Sequence, residues 1–170
     1  METAELIPLS GIQIQDKTIA LSSTRREVEA LLGAPYSSHK NSLYYFQNEV
    51  RFDFDANDRL NFIEFLAGID GQLQPQIYGV PAFQIEADDL FDILSAQNNG
   101  DINDCEQGYS YAFLNISVGI YRSRTPQAVE YMIEDAEDDG EPMDEEDIAL
   151  ELRQAAHWAT IGIGIANYYK

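Results

Sequence analysis

The spacing of apolar and polar positions changes period several times along this chain, and the same succession of changes occurs twice. Residues 20–66 begin with Val28, Leu31 and Leu32, which share one face of a helix. Thr24-Arg25-Arg26-Glu27 before them fits a capping box, in which the threonine oxygen and the glutamate carboxylate satisfy reciprocal orphan amides. Gly33 and Pro35 end the helix. The period then drops to two through Tyr44-Tyr45-Phe46, Val50-Arg51-Phe52-Asp53-Phe54 and Leu60–Leu66, with reversals at Asn48 and at Ala56-Asn57-Asp58. This predicts a helix followed by a three-stranded antiparallel meander with one buried face. Residues 83–121 repeat the order. A helix over Glu86–Gln97 turns Ala87, Leu90, Phe91 and Leu94 inward and carries Asp88 and Asp89 near its start, where they suit the macrodipole. Strands over Tyr109–Asn115 and Ser117–Tyr121 follow. Tyr44, Phe46, Asn48, Val50 and Phe52 align with Tyr111, Phe113, Asn115, Val118 and Ile120 if the second copy holds one extra residue.

The third strand of the second copy is delayed. Thr125-Pro126 starts a helix with threonine as cap and proline at its first position, and Val129, Met132, Ile133 and Ala136 form its stripe. Asp144 caps a further helix whose stripe is Ile148, Leu152 and Ala155 or Ala156. Thr160–Tyr169 then alternates Ile161, Ile163 and Ile165 with Gly162, Gly164 and Ala166, a strand whose small-residue face allows a helix to come close. Residues 11–21 alternate weakly as an opening strand or hairpin, and 67–80, with Gly68, Gly71, Pro75 and Gly79, read as a connector. A supersecondary unit of this size cannot bury its apolar face alone. The expectation is therefore one α+β domain over 1–170, with repeats at about 20–66 and 83–121 plus 158–169. Their helices lie on a mainly antiparallel sheet, and an acidic helical insertion occupies about 124–157.

Charge narrows the choice of partners. Thirty acidic and ten basic side chains give a net charge of −20, which repels nucleic acid and anionic membranes. Between Glu130 and Glu151 stand twelve carboxylates and no lysine or arginine, so this segment holds −12 of the −20. A charge run of this kind is usually a solvated connector. It can equally be a docking surface for a basic protein, because self-repulsion of this density opposes compactness. The candidate contact residues are Glu134, Asp135, Glu137, Asp138, Asp139, Glu141 and Asp144, with Tyr44 and Tyr111 as aromatic anchors.

No catalytic, metal or cofactor signature stands out. Asp53, Asp55, Asn57 and Glu64 have the spacing of a calcium loop. Asp58, however, holds the position that needs glycine, and the flanks alternate as strands. Gly162-Ile163-Gly164 lacks the third glycine and the following helix of a nucleotide-binding loop. His39 and His157 belong to no triad, and Cys105, the sole cysteine, has acidic neighbours that oppose a reactive role. One thiol forms no internal disulfide, and the acidic start lacks the basic and apolar regions of a leader, so the cytoplasm is the expected compartment.

Thr24-Arg25-Arg26-Glu27-Val28 through Leu31-Leu32-Gly33-Ala34-Pro35, then Tyr44-Tyr45-Phe46 and Val50–Asp55, resembles the helix-and-hairpin signature of the small outer-membrane assembly lipoproteins. The same unit occurs in tandem in β-lactamase-inhibitor proteins. The resemblance covers about 45 residues of the first copy and is looser in the second, where Ala96-Gln97 replaces the glycine-proline ending. It implies helices on an antiparallel sheet used to bind another protein, with no cofactor and no catalysis. This chain departs in having no lipid-attachment cysteine near its start and fewer cysteines than the secreted inhibitors. A small acidic binding domain of this design also resembles bacterial immunity proteins. The function expected is a non-catalytic inhibitor that neutralises a basic toxin domain. The alternative is a small-ligand-binding protein or enzyme with a pocket between helices and sheet.

Overall fold

A computed structural model describes residues 1–170. The chain opens with strand β1 (Glu2–Ile7) and the hairpin of β2 (Gly11–Ile14) and β3 (Lys17–Ala20). Helix α1 (Arg25–Leu32) follows, then β4 (Ser37–His39), β5 (Ser42–Tyr45), β6 (Val50–Phe54) and β7 (Leu60–Phe65). The capping box forms as its residue types require: Glu27 N donates to Thr24 Oγ1 at 3.2 Å and Thr24 N to Glu27 Oε2 at 2.7 Å. Beyond a short turn at Gly68–Asp70 come β8 (Leu73–Ile77) and β9 (Val80–Pro81). Helix α2 (Ala87–Asn98), β10 (Ile102–Asp104), β11 (Ser110–Phe113) and β12 (Val118–Tyr121) make up the second copy, and α3 (Pro126–Asp138) and α4 (Glu145–Ala156) intervene before β13 (Thr160–Gly164).

Each copy is thus a helix and four strands, one strand more than its periodicity predicts. The extra strands β4 and β10 are three residues each, too short for alternation to declare them. The eight strands form one antiparallel sheet in the order β10-β11-β12-β13-β7-β6-β5-β4. The copies meet at their last strands, where Ile63 lies opposite Ile163. Val50 pairs with Tyr45 and Val118 with Phe113, across turns of equal length. The second copy therefore has no extra residue, and the alignment corrects to Tyr45 with Phe113 and Leu43 with Tyr111. A one-residue slip sends every side chain of a strand to the other face, so Tyr44 and Tyr111 occupy opposite faces.

The periodicity also misses a second sheet. The opening segment and the presumed connector combine as β3-β2-β1-β8-β9, antiparallel except for the parallel pair β1–β8. Pro75 and the glycines disguise β8 as loop. This sheet supplies Leu6, Ile12, Ile19 and Ile77 to a single cluster of 28 buried residues, which includes Phe52, Phe65, Val118 and Ile161 from the inner face of the large sheet. Helix α1 buries only Val28. The inner face is covered as much by strands as by helices.

The outer face carries a different solution to close packing. A Cβ added at Gly119, Gly162 or Gly164 would collide with Tyr169, Phe62 or Tyr168 respectively. The small-residue stripe therefore receives aromatic rings and not the helix that its spacing allows. Asn167 at φ +67° folds the segment after β13 back across the sheet, and Tyr168 stacks on Phe62 with ring centroids 4.6 Å apart. Gly162→Val should displace the Phe62 ring and cost about 1–3 kcal/mol by overpacking. Urea unfolding checks the stability, and the near-ultraviolet tyrosine signal checks the stack. An unchanged midpoint would mean that the rings yield freely.

The helical insertion forms where its caps predict. Thr125 Oγ1 accepts from Ala128 N at 3.1 Å and Asp144 Oδ1 from Asp147 N at 2.8 Å. Helix α4 departs from expectation in its stripe: Leu152 remains 49% exposed, while Ala155 is buried. Trp158, 1% exposed, anchors the end of the insertion, donating from Nε1 to Ala87 O at 2.8 Å.

Candidate functional site

All seven predicted contact carboxylates, Glu134, Asp135, Glu137, Asp138, Asp139, Glu141 and Asp144, are exposed on the α3–α4 hairpin. Five stand in or at the end of the last turns of α3, which holds no basic residue there. The C-terminal end of a helix carries the negative pole of its macrodipole, so acids there are repelled by the backbone as well as by one another. None of the seven takes part in an ion pair; the five pairs of the molecule are Arg25–Asp58, Arg51–Asp53, Arg51–Glu64, Arg124–Glu151 and Arg153–Asp70. Asp144 also has a structural duty as the α4 cap. The hairpin is nevertheless ordered helix on both sides of the Gly140 turn, held from below by Arg124–Glu151 and Arg153–Asp70.

The tyrosines separate. Tyr111 turns inward, edge-on to Phe91 at 4.8 Å and to Trp158 at 6.0 Å, which leaves it little surface to offer. Tyr44 is half-buried on the outer face, paired across the ladder with Arg51. The structure brings neither to the acidic hairpin. The aromatic residue that does stand there is Tyr131, 58% exposed on α3. Its signal in the sequence is its exclusion from the Val129–Met132–Ile133–Ala136 stripe, which assigns it to the solvent side.

A second polar group lies on the outer sheet face. Arg51 reaches Glu64 at 2.8 Å, and its Nε lies 3.1 Å from Asp53 without the alignment of a hydrogen bond. Ser42 Oγ donates to Asp53. Arg51 and Glu64, with Tyr168, Tyr169, Thr160 and Cys105, border an open cleft of about 250 Å³. The residues with calcium-loop spacing are occupied separately: Asp53 and Glu64 face Arg51, while Asp55 accepts from Asn57 N and Arg59 N at 2.8 and 2.9 Å to close the hairpin turn. His39 is exposed on β4, and His157 is fixed by a 3.0 Å contact from Nδ1 to Ile85 O.

Burial pushes the Glu64 carboxyl above its usual range, against the opposing pull of Arg51 and a hydrogen bond from Thr160. The folded state therefore holds this proton to higher pH than the unfolded chain does. Stability from this group is full at low pH and falls as pH rises through the folded value. Relief of net negative charge acts in the same direction, so the contribution is isolated by difference. The stability of wild type relative to Glu64→Gln should decline as pH rises above the ordinary glutamate value and through the folded one, followed by chemical denaturation at several pH values. A flat difference would place Glu64 in a solvated setting.

Burial also lowers the basicity of Arg122, which is 7% exposed. It faces no carboxylate within ion-pair distance. Instead Nη1 donates to Ala155 O at 3.0 Å, Nε donates to Gly108 O at 3.1 Å, and the guanidinium sits 4.6 Å from the Trp158 ring centre. Ala155 is in the last turn of α4, so the cation caps a helix end of the correct sign. No helix is long and apolar enough to cross a membrane. Comparison of the chain with family models, curated proteins and solved structures finds no match.

Proposed function

We propose that the protein is a non-catalytic, cytoplasmic protein-binding inhibitor of the immunity type, which captures a basic protein domain through its acidic α3–α4 hairpin. The observation that carries this reading is the hairpin's charge placement. Seven exposed carboxylates without ion-pair partners gather around the end of α3 that disfavours them. Apart from the α4 cap that Asp144 supplies, the isolated protein gains no stability from that arrangement, whereas a cationic surface brought against it would relieve the repulsion. Tyr131 supplies a rigid aromatic contact among these charges, suited to a lysine or arginine head. Tyr44 and Tyr111 have no part in this surface.

Such a partner is a toxin domain with a basic groove, and its capture blocks the groove by occupancy, with no chemistry in the inhibitor. Affinity capture from the native host, followed by measurement of association rates at several salt concentrations, tests this. An acidic captured partner, or association indifferent to salt, would remove the basis of the reading. One observation favours the second reading of a small-ligand site: Glu64, Arg51 and Asp53 converge beside the aromatic cleft of the outer face. That cleft is small and open, and it lies outside the core between helices and sheet. A saturable ligand effect abolished by Glu64→Gln would favour it.

A further inference from the structure

The sequence pattern assigns Leu152 to the buried stripe of α4, yet it stands 49% exposed. It borders a groove of about 320 Å³ with Ala87, Pro126 and Ala155, where the beginnings of α2 and α3 meet the end of α4. The rim carries Glu86 and Asp88, both exposed and neither ion-paired. Arg122 lies beneath, its guanidinium drawn down to the carbonyls of Gly108 and Ala155 and to the Trp158 ring. It belongs to the lining of the groove, but only 7% of it is exposed and its guanidinium is held by those carbonyls. The groove therefore presents a mostly apolar floor, an uncovered leucine and a negative rim, where the insertion that carries the acidic hairpin meets the start of α2.

We infer that this groove docks a segment of the basic partner that presents one apolar side chain flanked by lysine or arginine. The inference rests on the basic-partner reading and adds to it a place and a sequence preference. The apolar side chain completes the stripe that Leu152 leaves open, and the flanking cations meet Glu86 and Asp88. Steering by the hairpin and anchoring in the groove then fall to separate parts of one surface, as a buried apolar anchor with a charged surround requires.

The test uses two synthetic peptides, acetyl-Lys-Arg-Leu-Arg-Lys-amide and its counterpart with serine in place of leucine. Each is titrated into the full chain and followed by nuclear magnetic resonance. The leucine peptide should bind about tenfold more tightly, the gain expected for partial burial of one leucine. It should shift the Leu152 methyl groups and the amides of Ala87 and Ala155. Leu152→Ser, at a half-exposed helical position, should reduce the leucine peptide to the level of the serine peptide and leave the latter unchanged. Equal binding of both peptides, with shifts confined to residues 134–144, would overturn the groove and leave the basic-partner reading standing. Binding by neither also overturns the groove, and whole-protein capture then decides the broader reading. Because the peptide exchange is made on the wild-type chain, the outcome does not depend on the variant folding.

Discussion

Replacing Trp158 by alanine should destabilise the fold by about 3–5 kcal/mol, the range for removing a large buried aromatic side chain. Trp158 is the joint between the insertion and the body. It follows α4, precedes β13 and donates to the first turn of α2 through Ala87 O at 2.8 Å. Its ring supports Arg122 at 4.6 Å and meets the edge of Tyr111 at 6.0 Å. Alanine leaves a cavity, removes one hydrogen bond and strips the buried guanidinium of an aromatic neighbour. Trp158→Phe separates these effects: it keeps most of the apolar contact and loses the Nε1 donor, for an expected cost of about 1–2 kcal/mol. Guanidinium unfolding, read by circular dichroism because the variants lack the tryptophan, measures both. Domains of this size have about 5–15 kcal/mol in total, so the alanine variant should sit near the edge of folding at 37 °C. A loss below about 1.5 kcal/mol would show that the insertion is held by its ion pairs and not by this joint.

The sequence made the repeat visible because its signals are local. A capping box, a glycine stop and strict alternation each act over a few residues, and α1, α2, β5, β6 and β7 follow from them within a residue or two. The insertion was equally legible, since Thr125-Pro126 and Asp144 are caps whose chemistry does not depend on the rest of the chain. The second sheet was not. Its pairing of β1 with β8 joins residues about seventy positions apart, and no local period announces a partner at that distance. The single-residue error between Tyr44 and Tyr111 shows how narrow the margin is on a strand. The amino-acid types align, but the ladder sets the register, and the register decides which tyrosine meets solvent.

The candidate surface was legible as composition and not as shape. Counting carboxylates located the hairpin, and nothing in the count distinguished a disordered linker from two capped helices. Tyr131 was present in the pattern only as a residue outside the stripe. Leu152 was assigned inside it and stands half outside. Ala155, one turn further on, takes the buried position in its place, with its carbonyl held by Arg122. The glycine stripe of β13 predicted a close approach correctly but not its partner, because rings from the following turn fill the space before a helix can.

Neutralising Glu137, Asp138, Asp139 and Glu141 together to their amides should slow association with a basic partner by about tenfold or more at low salt. These four side chains are exposed, unpaired and carried on one helix end and its turn, so their fields add over the same patch of solution. Screening limits their reach to about 8 Å at physiological ionic strength. The difference between wild type and variant should therefore shrink as salt rises, and the variant's own rate should depend less on salt. Dissociation should change less than association, since rim charges act mainly on encounter. The fold has a separate expectation of the opposite sign. Removing acids from the negative pole of α3 relieves repulsion, so the variant should unfold at a slightly higher temperature than wild type. This second measurement needs no partner and guards the first, because a slower association in a variant that is also more stable cannot be ascribed to damage. Wild-type association rates at low salt would reduce the hairpin to a solvated connector. A lower unfolding temperature would mean that these carboxylates make stabilising contacts within the hairpin, and their charge would then have a use inside the protein itself.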